Sequence, residues 1–264
     1  MIGAIIGDIA GSRFEFNNIK TKKFELFTKD CAFTDDTICT VAIADAIYRK
    51  IDYKESLLEW CRKYPNPKGS YGLSFERWWR SDNPQPYNSY GNGAAMRVSS
   101  IGFYYNTLDR VLDEAKKSAE ITHNHPEGIK GAQAIASAVF LLRTGSSKDE
   151  MKSFINDKFG YDLNSSIDYY RNHSKFDETC QVCVPQAITC FIESESFEDA
   201  IRNAISIGGD SDTIAAITGS LSEAFYGIPD LLFDKAYSYL DSNMKKIVKK
   251  YQRTKFLNRV ITSY

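Results

Sequence analysis

Apolar residues in this sequence recur at helical rather than strand spacing along nearly the whole chain. Alternation of apolar and polar residues over more than four positions, the pattern of a half-buried strand, is almost absent. Near the N-terminus Gly3, Gly7 and Gly11 are spaced four residues apart, so on a helix they share one face and let a neighbouring helix approach closely. The sequence therefore predicts an all-α fold, a compact multi-helix domain over residues 1–264 without an internal repeat or linker.

One long segment interrupts the helical pattern. Residues 64–95 contain four prolines, four glycines and seven aromatic residues, which break any regular period. A loop-rich and aromatic insert is typical of a functional lid or of a stacking wall for a flat ligand, and equally of a lid packed on its own aromatics. Elsewhere the pattern predicts helices over residues 2–12, 36–50, 53–63, 94–119, 131–143, 148–159, 180–193, 197–206, 211–225 and 230–250.

Charge and cysteine content limit the class of protein. The 33 basic and 34 acidic residues give a net charge of -1, so no overall field attracts nucleic acid or anionic lipid. No apolar run approaches the ~18 residues of a membrane helix. The N-terminus has no basic leader and carries Asp8, and the six cysteines lie mostly in apolar segments, including Cys180 and Cys183. We therefore expect a cytoplasmic monomer with reduced, buried cysteines and no contact with membranes or nucleic acid.

Two short acidic clusters each stand at a predicted helix start. The run Thr-Asp-Asp-Thr at residues 34–37 leads into one helix, and Gly-Gly-Asp-Ser-Asp-Thr at 208–213 leads into another. Thr34 suits an N-cap, and the helix dipole favours carboxylates in the first turn. Capping explains either cluster alone, but it does not explain why hydroxyl and carboxylate groups repeat in the same arrangement.

A metal site explains the repetition. If the fold brings the clusters together, their four carboxylates repel one another at a cost on the order of several kcal/mol unless cations intervene. Hard oxygen donors favour Mg²⁺ or Mn²⁺ over Zn²⁺. Asp35 and Asp36 are adjacent and project differently, so they can serve two metals, and Asp210 and Asp212 can do the same from the other side. The sequence therefore predicts a binuclear Mg²⁺ or Mn²⁺ site.

Other motifs exclude several classes of site. The Asp-Ser-Asp run at 210–212 resembles the start of a calcium loop, but Thr213 and apolar residues follow instead of further oxygen donors. Gly-Asn-Gly at 91–93 is neither a dinucleotide fingerprint nor a phosphate loop, although its backbone N–H groups can hold an anion. His123 and His125 lack a third nitrogen or thiolate partner, so we predict a polar ligand contact rather than a zinc site.

The order of these motifs resembles one protein family. Gly-Asp-Ile-Ala-Gly-Ser at 7–12 with Glu15 comes first, and the two acidic clusters, Gly-Asn-Gly-Ala-Ala-Met-Arg at 91–97 and Thr-His at 122–123 complete the set. This arrangement, which runs through residues 3–229, resembles the ADP-ribosylglycohydrolase family of dinitrogenase reductase-activating glycohydrolase and the ADP-ribosyl-acceptor hydrolases. Each motif is weak alone, but five in order are specific. The resemblance implies a compact orthogonal multi-helix domain with two Mg²⁺ or Mn²⁺ ions in a cleft.

The resemblance also implies a role for each site residue. The metals would be held by Thr34, Asp35, Asp36, Asp210, Asp212 and Thr213. The diphosphate of ADP-ribose would follow Gly91, Asn92, Gly93, Ala94 and Met96. The remaining substrate contacts would come from His123 and from Tyr90 or a neighbouring aromatic stacked on adenine. Segments 62–90 and 160–178, where family members differ most, would set which acceptor is accepted.

The implied reaction is hydrolysis of the glycosidic bond between ADP-ribose and an acceptor, either a protein side chain such as arginine or serine or a small molecule. Oxocarbenium character develops at C1″ as the bond breaks, and metals near the ribose can polarise it. Glu15 and Asp36 are the candidates for proton transfer, although without the resemblance the sequence around Glu15 favours a solvated loop acid. Two alternatives stay open: a metal-dependent phosphohydrolase that splits the diphosphate, and a non-catalytic protein that binds ADP-ribose.

Overall fold

Helix α1 (Ile2–Gly11) and helix α13 (Ser211–Tyr226) pack face to face at the centre of the molecule. The glycine face of α1 makes this contact. A Cβ atom added to Gly3 would lie 2.0 Å from the carbonyl oxygen of Gly219, and one added to Gly7 would lie 2.0 Å from that of Ala215. The four-residue glycine spacing therefore sets the separation of the two helices, as the sequence predicted.

The computed structural model describes the backbone of residues 1–261 and the side chains through residue 253. The regular secondary structure of this part of the chain is helical, apart from one isolated bridge between Gly91 and Thr179, so the predicted all-α class is confirmed. The other helices are α2 (Asp35–Arg49), α3 (Tyr53–Lys63), α4 (Leu73–Arg80), α5 (Gly93–Met96), α6 (Ser99–Tyr104), α7 (Leu108–Glu120), α8 (Pro126–Arg143), α9 (Lys148–Phe159), α10 (Ile167–His173), α11 (Cys180–Ile192), α12 (Phe197–Ser206), α14 (Asp230–Tyr239) and α15 (Ser242–Ile261).

Three helix predictions were wrong in detail. The region 94–119 forms three helices rather than one, because Thr107 caps a new helix by accepting from the backbone N–H of Arg110. The segment 230–250 is divided between α14 and α15, since the Asp241 carboxylate accepts from the N–H groups of the following turn. Residues 73–80 were predicted as loop but form α4, which buries Phe75, Trp78 and Trp79 on one face.

Several local predictions are confirmed. The hydroxyl of Thr34 accepts from the backbone N–H of Asp36 at 3.2 Å, which is the predicted N-cap. All six cysteines are buried and none forms a disulfide. No helix within residues 1–261 is long and apolar enough to cross a membrane.

Candidate active site

A cleft of about 510 Å³ opens where the N-terminal ends of α2 and α13 meet. Helix α1 packs against both of these helices and so brings their first turns together. The two acidic clusters, which lie far apart in the sequence, therefore share one cavity. Among the described residues that line the cleft, six carry a carboxylate: Glu15, Asp35, Asp36, Glu178, Asp210 and Asp212.

Asp8 fixes the first acidic cluster from behind. It is fully buried in α1, and its Oδ1 accepts from the hydroxyl of Thr34 at 2.7 Å. Its Oδ2 accepts from the backbone N–H groups of Thr34 at 3.0 Å and Thr37 at 3.1 Å, and also from the Thr37 hydroxyl. Burial raises the pKa of Asp8 to about 6, against the lowering effect of these four hydrogen bonds. This role of Asp8 was not predicted, and its one signal in the sequence is a carboxylate within an otherwise apolar helix.

Asn18 fixes the turn before the second cluster. Gly208 and Gly209 have φ angles of 69° and 79°, a backbone conformation that favours glycine. The side chain of Asn18 accepts from the N–H of Gly209 at 2.8 Å and donates to its carbonyl at 2.9 Å. The same amide nitrogen donates to the carbonyl of Phe14 at 2.7 Å, so the turn is tied to the segment that follows α1. Asn18 was not predicted either, because nothing in the local sequence marks it as a partner of a residue 191 positions away.

The aspartates at the cleft floor are only partly hydrogen-bonded. Asp36 Oδ2 accepts from the hydroxyl of Thr213 at 3.1 Å, and Asp210 Oδ2 accepts from the amide of Asn92 at 2.7 Å. Asp36 Oδ1 is buried and has no hydrogen-bond partner within the described residues. Burial, and then the charge of neighbouring carboxylates, raises the pKa of Asp35, Asp36 and Asp212 well above the ordinary value. These carboxylates are destabilised as anions in the absence of a cation.

The donor set suits a hard divalent cation. The two acidic clusters that meet in the cleft supply carboxylate and hydroxyl oxygens, which Mg²⁺ and Mn²⁺ prefer. Within the described residues, no three His, Cys, Asp or Glu side chains are already arranged as a complete metal-binding group. The fit therefore rests on donor chemistry, the unpaired oxygen and mutual repulsion. The Thr34 hydroxyl is committed elsewhere, since it donates to Asp8 and accepts from the Asp36 N–H.

Glu15 lies at the cleft entrance and is partly buried, rather than a fully solvated loop acid. Burial raises its pKa to about 7, and the charges of Asp210, Asp8 and Glu178 add to this effect. Lys68 acts in the opposite direction. Gly69 lies directly over the carboxylate, because a Cβ added there would be 2.6 Å from Glu15 Oε2. A carboxyl group with a pKa near neutrality can both release and accept a proton under physiological conditions.

The Gly-Asn-Gly loop forms another wall of the cleft. Its backbone is held by the start of α11: the N–H of Asn92 donates to the carbonyl of Glu178 at 2.7 Å, and the thiol of Cys180 donates to the carbonyl of Gly91 at 3.1 Å. The imidazole of His123 lies against Gly93, where a Cβ would be 3.1 Å from Nε2. The CxxC cysteines are thus buried core residues, as predicted, and Cys180 also holds the loop in place.

The protonation of His123 follows from its neighbours. Burial and the charge of Arg97 lower its pKa well below the usual value, so the imidazole is neutral at pH 7. Arg97, itself fully buried, donates to the hydroxyl of Thr122 at 2.8 Å. The Thr122 hydroxyl lies 2.7 Å from His123 Nδ1 and has one hydrogen left to donate there. Nδ1 is therefore the acceptor, and Nε2 carries the N–H that faces the Gly-Asn-Gly loop.

Three predicted site residues lie away from the cleft surface. Tyr90 is 48% exposed and contacts the ring of His125, with ring centroids 5.2 Å apart, and it is not part of the cleft wall. Ala94 is buried behind the loop, and Thr34 is buried behind Asp36. Other aromatic residues do line the cleft, so the prediction of an adenine contact extends to them: Phe16, Tyr71, Phe75 and Tyr87.

Comparison with known proteins agrees with the fold. The family model for ADP-ribosylglycohydrolase matches residues 1–252. ADP-ribosylhydrolase ARH3 of Homo sapiens is 25% identical over an alignment 308 positions long, gaps included. The alignment covers 86% of this chain and 84% of that protein. ADP-ribosylarginine hydrolase Tri1 of Pseudomonas putida is 25% identical over an alignment of 267 positions. This alignment covers 86% of this chain and 70% of that protein.

Solved structures give the same relationship. An ADP-ribosylglycohydrolase-related protein complex superposes with a TM-score of 0.70 at 20% identity and covers 96% of this chain and 97% of its own. A likeness at this identity establishes the fold, and the family model, which extends over nearly the whole sequence, adds the family. The chain belongs to the ADP-ribosylglycohydrolase family.

Proposed function

We propose that this protein is a hydrolase that releases ADP-ribose from an acceptor by cleaving the glycosidic bond at C1″. One observation carries the proposal: the two acidic clusters, Glu15 and the Gly-Asn-Gly loop all face a single cleft. A carboxylate-rich floor suits a reaction in which positive charge develops on the sugar. The ADP-ribosylhydrolase names of relatives that align over most of the chain give independent support.

Two Mg²⁺ or Mn²⁺ ions would be held by the floor of the cleft, at Asp35, Asp36, Asp210, Asp212 and Thr213. When bound, they would supply Lewis acidity toward the ribose hydroxyls and water. The unpaired Asp36 Oδ1 supports this assignment, because a buried carboxylate oxygen without a partner is costly. Asp8 keeps the first cluster rigid, so Asp35 and Asp36 are presented without rearrangement of the backbone.

The wall of the cleft orients the substrate. The glycines at both ends of the loop at 91–93 let a diphosphate approach the main chain, although the N–H groups of Gly91 and Asn92 already donate to Ser89 Oγ and to the carbonyl of Glu178. The neutral imidazole of His123 would donate a hydrogen bond from Nε2 to an oxygen atom of the substrate, without adding positive charge. The hydrogen bonds from Arg97 to Thr122 and from Thr122 to His123 Nδ1 fix the tautomer, so the Nε2–H group always faces the cleft.

Glu15 is our first candidate for proton transfer. In the reaction the bond from C1″ to the acceptor atom breaks and a bond from C1″ to a water oxygen forms. One water proton passes to a base, and the departing acceptor atom takes up one proton. With a pKa of about 7, Glu15 can perform either transfer. Asp36 is the second candidate, because its free Oδ1 also lies at the cleft.

The test is release of ADP-ribose from arginine-, serine- and nucleic-acid-linked substrates, with Mg²⁺, with Mn²⁺ and with chelator. We expect release from at least one acceptor only when a divalent cation is present. Asp36→Asn and Glu15→Gln should each lower kcat by about 100-fold or more, the usual range for losing a group in acid–base chemistry. Asp234→Asn, an exposed aspartate on α14, is the matched control and should retain wild-type activity.

The products separate this function from its alternatives. A phosphohydrolase would yield AMP and a ribose phosphate instead of ADP-ribose, and a binding protein would retain ADP-ribose without turnover. Either result would contradict the proposal. A cytoplasmic location and a monomeric state remain predictions, to be checked by fractionation and by light scattering.

A further inference from the structure

The side chain of Asn92 links the Gly-Asn-Gly loop to the floor of the cleft. It is buried, and its Nδ2 donates to Asp210 Oδ2 at 2.7 Å and to the sulfur of Cys183 at 3.2 Å. An amide nitrogen carries two hydrogens, so it can serve both partners at once. The opposite orientation of the amide would turn its oxygen toward the carboxylate, which is repulsive. These contacts therefore fix which atom of the Asn92 amide faces Asp210.

Cys183 continues this chain of hydrogen bonds away from the cleft. Its thiol, fully buried at the start of α11, donates its single hydrogen to the carbonyl of Asp177 at 2.9 Å. Because that hydrogen is used, the sulfur meets Asn92 as an acceptor. Burial, and then the charge of Asp210, raises the pKa of the Cys183 thiol well above its usual value, so the group stays protonated at pH 7. The direction of each hydrogen bond from Asp210 back to Asp177 is thus determined.

The backbone of Asn92 is held separately from its side chain. Its N–H donates to the carbonyl of Glu178 at 2.7 Å, and its carbonyl accepts from the N–H of Ala95 at 2.9 Å. The thiol of Cys180 donates to the carbonyl of Gly91, the preceding residue, at 3.1 Å. With the main chain fixed on both sides, only the side-chain torsions of Asn92 remain free, and the two contacts of Nδ2 set them.

The contact with Asn92 orients the Asp210 carboxylate relative to the loop. Asp212 and Thr213 also interact with this carboxylate, but they belong to the same helix start, whereas Asn92 reaches it from a separate segment. A hydrogen bond to one carboxylate oxygen limits rotation about the Cβ–Cγ bond, so the other oxygen is presented in one direction. Groups behind the ligands of a metal site commonly act in this way, and their loss lowers metal affinity.

We propose that Cys183 is a positioning residue of the metal site, which acts through Asn92 to fix the carboxylate of Asp210. The inference rests on the proposed metal-dependent function and deepens it, because it gives that site a support outside the described lining of the cleft. The role uses both abilities of a protonated thiol, as a donor to Asp177 and as an acceptor from Asn92. An apolar side chain of similar size would fill the same space without either.

The experiment measures the Mn²⁺ affinity of chelator-stripped protein by calorimetry. Cys183→Ala should lower the affinity by about 3- to 10-fold, the range for one lost neutral hydrogen bond. Asn92→Ala, which removes the direct contact with Asp210, should lower it by about tenfold or more. Cys190→Ala is the matched control, because Cys190 is fully buried on the same helix and its carbonyl, not its thiol, bonds to Asn203. This control loses the same volume and should bind Mn²⁺ as the wild-type protein does.

Three further variants distinguish orientation from packing. Cys183→Ser keeps a donor and an acceptor, so it should bind Mn²⁺ more tightly than Cys183→Ala. Cys183→Val fills the space without the hydrogen bonds and should lose as much affinity as the alanine variant, which keeps the test open if alanine prevents folding. The double variant of Asn92→Ala with Cys183→Ala should match Asn92→Ala alone, because Cys183 acts only through Asn92.

Different outcomes overturn different statements. Wild-type affinity in Cys183→Val, losses that multiply in the double variant, or an equal loss in Cys190→Ala would each overturn the positioning role. In those cases the wild-type protein still binds Mn²⁺ and releases ADP-ribose, so the proposed function stands. A wild-type protein that binds Mn²⁺ but releases no ADP-ribose contradicts the proposed function alone. If it binds neither Mn²⁺ nor Mg²⁺, the proposed metal site fails and this inference fails with it.

Discussion

His123 shows how much of this site depends on single hydrogen bonds. Its Nδ1 receives one from Thr122, whose hydroxyl in turn accepts from the buried guanidinium of Arg97. Burial and the charge of Arg97 keep the imidazole neutral, and the hydrogen bonds from arginine to threonine to histidine direct its Nε2–H at the Gly-Asn-Gly loop. The orientation of His123, a predicted substrate contact, thus depends on two residues that lie behind it.

Thr122→Val should remove this relay. Valine has nearly the shape of threonine, but it leaves His123 Nδ1 without its hydrogen-bond donor and leaves the Arg97 guanidinium with the carbonyl of Ser118 but without its second acceptor. We expect the free energy of unfolding to fall by about 1–3 kcal/mol, which urea denaturation can measure. Thr144→Val is the control, because the exposed hydroxyl of Thr144 only donates to carbonyls of its own helix. Equal stability of the two variants would show that the relay contributes nothing.

Asp212→Asn should distinguish the effect of carboxylate repulsion on protein stability from the effect of metal binding. Burial and the neighbouring carboxylates disfavour the Asp212 anion, so an amide should raise the melting temperature of the chelator-treated protein. A gain of about 2–4 °C corresponds to ~1 kcal/mol in a chain of this length. The same variant should lose most of the stabilisation that Mg²⁺ or Mn²⁺ gives the wild-type protein. An unchanged response to both metals would exclude Asp212 as a ligand.

At the scale of elements, the contact between α1 and α13 positions the whole site. Glycines on α1 allow the backbones to approach, and Asp212 itself lies on that face, where a Cβ added to Gly11 would be 2.5 Å from its Cα. Asp8 on the same helix holds the start of α2. One helix therefore sets the positions of both acidic clusters, and a shift of α1 would move them relative to each other.

Gly7→Ala should be strongly destabilising. Its Cβ would lie 2.0 Å from the carbonyl oxygen of Ala215, which is backbone and cannot rotate away. The helices must separate, and we expect a loss of about 3 kcal/mol or more in the free energy of unfolding. Gly72→Ala is the control, because φ there is -55° and a Cβ meets nothing within 4 Å. Chemical denaturation of both variants makes the comparison, and a Gly7→Ala protein as stable as the wild type would contradict the packing.

At the scale of the molecule, carboxylates that repel one another are concentrated in one cleft, although the net charge of the chain is close to zero. The net charge is -1, yet six carboxylates line one cavity. Several of them are buried, so water does not screen them effectively. The stability of the whole domain is thus linked to pH and to divalent cations through this one region.

The pKa shifts of the cleft carboxyl groups determine whether the chelator-treated protein gains or loses stability as the pH rises. The pKa of Glu15 rises from 4.5 to about 7 on folding, and that of Asp8 from 3.8 to about 6. Between these values the folded chain holds protons that the unfolded chain has released, so stability falls as pH rises toward 7. His123 opposes this trend, because its lowered pKa favours the folded state as pH rises, but it is one group against several carboxylates.

Melting temperatures at pH 5, 6, 7 and 8 check this expectation. We expect a steady decrease with chelator and a smaller decrease, or none, with saturating Mg²⁺. A melting temperature that rises with pH in the chelator-treated protein would mean that the cluster is not destabilised by its own charge.

Much of this protein follows from local sequence. The helical class, the glycine face of α1, the Thr34 cap and the acidic clusters all depend on residues within a few positions of one another. The order of motifs that matches the family spans most of the chain, but it too is visible without the fold. Helix boundaries were less predictable where a single capping residue, such as Thr107 or Asp241, divides a continuous apolar pattern.

The tertiary structure alone decided which residues support the site. Asp8 bonds to residues 26 positions away, and Asn18 bonds to residues 191 positions away. Likewise, only the fold placed Glu178 beside Glu15 and turned Tyr90 toward His125 instead of the cleft. The physical reason is that periodicity and capping act within one or two turns, whereas burial, repulsion and long-range hydrogen bonds exist only once distant segments have packed together.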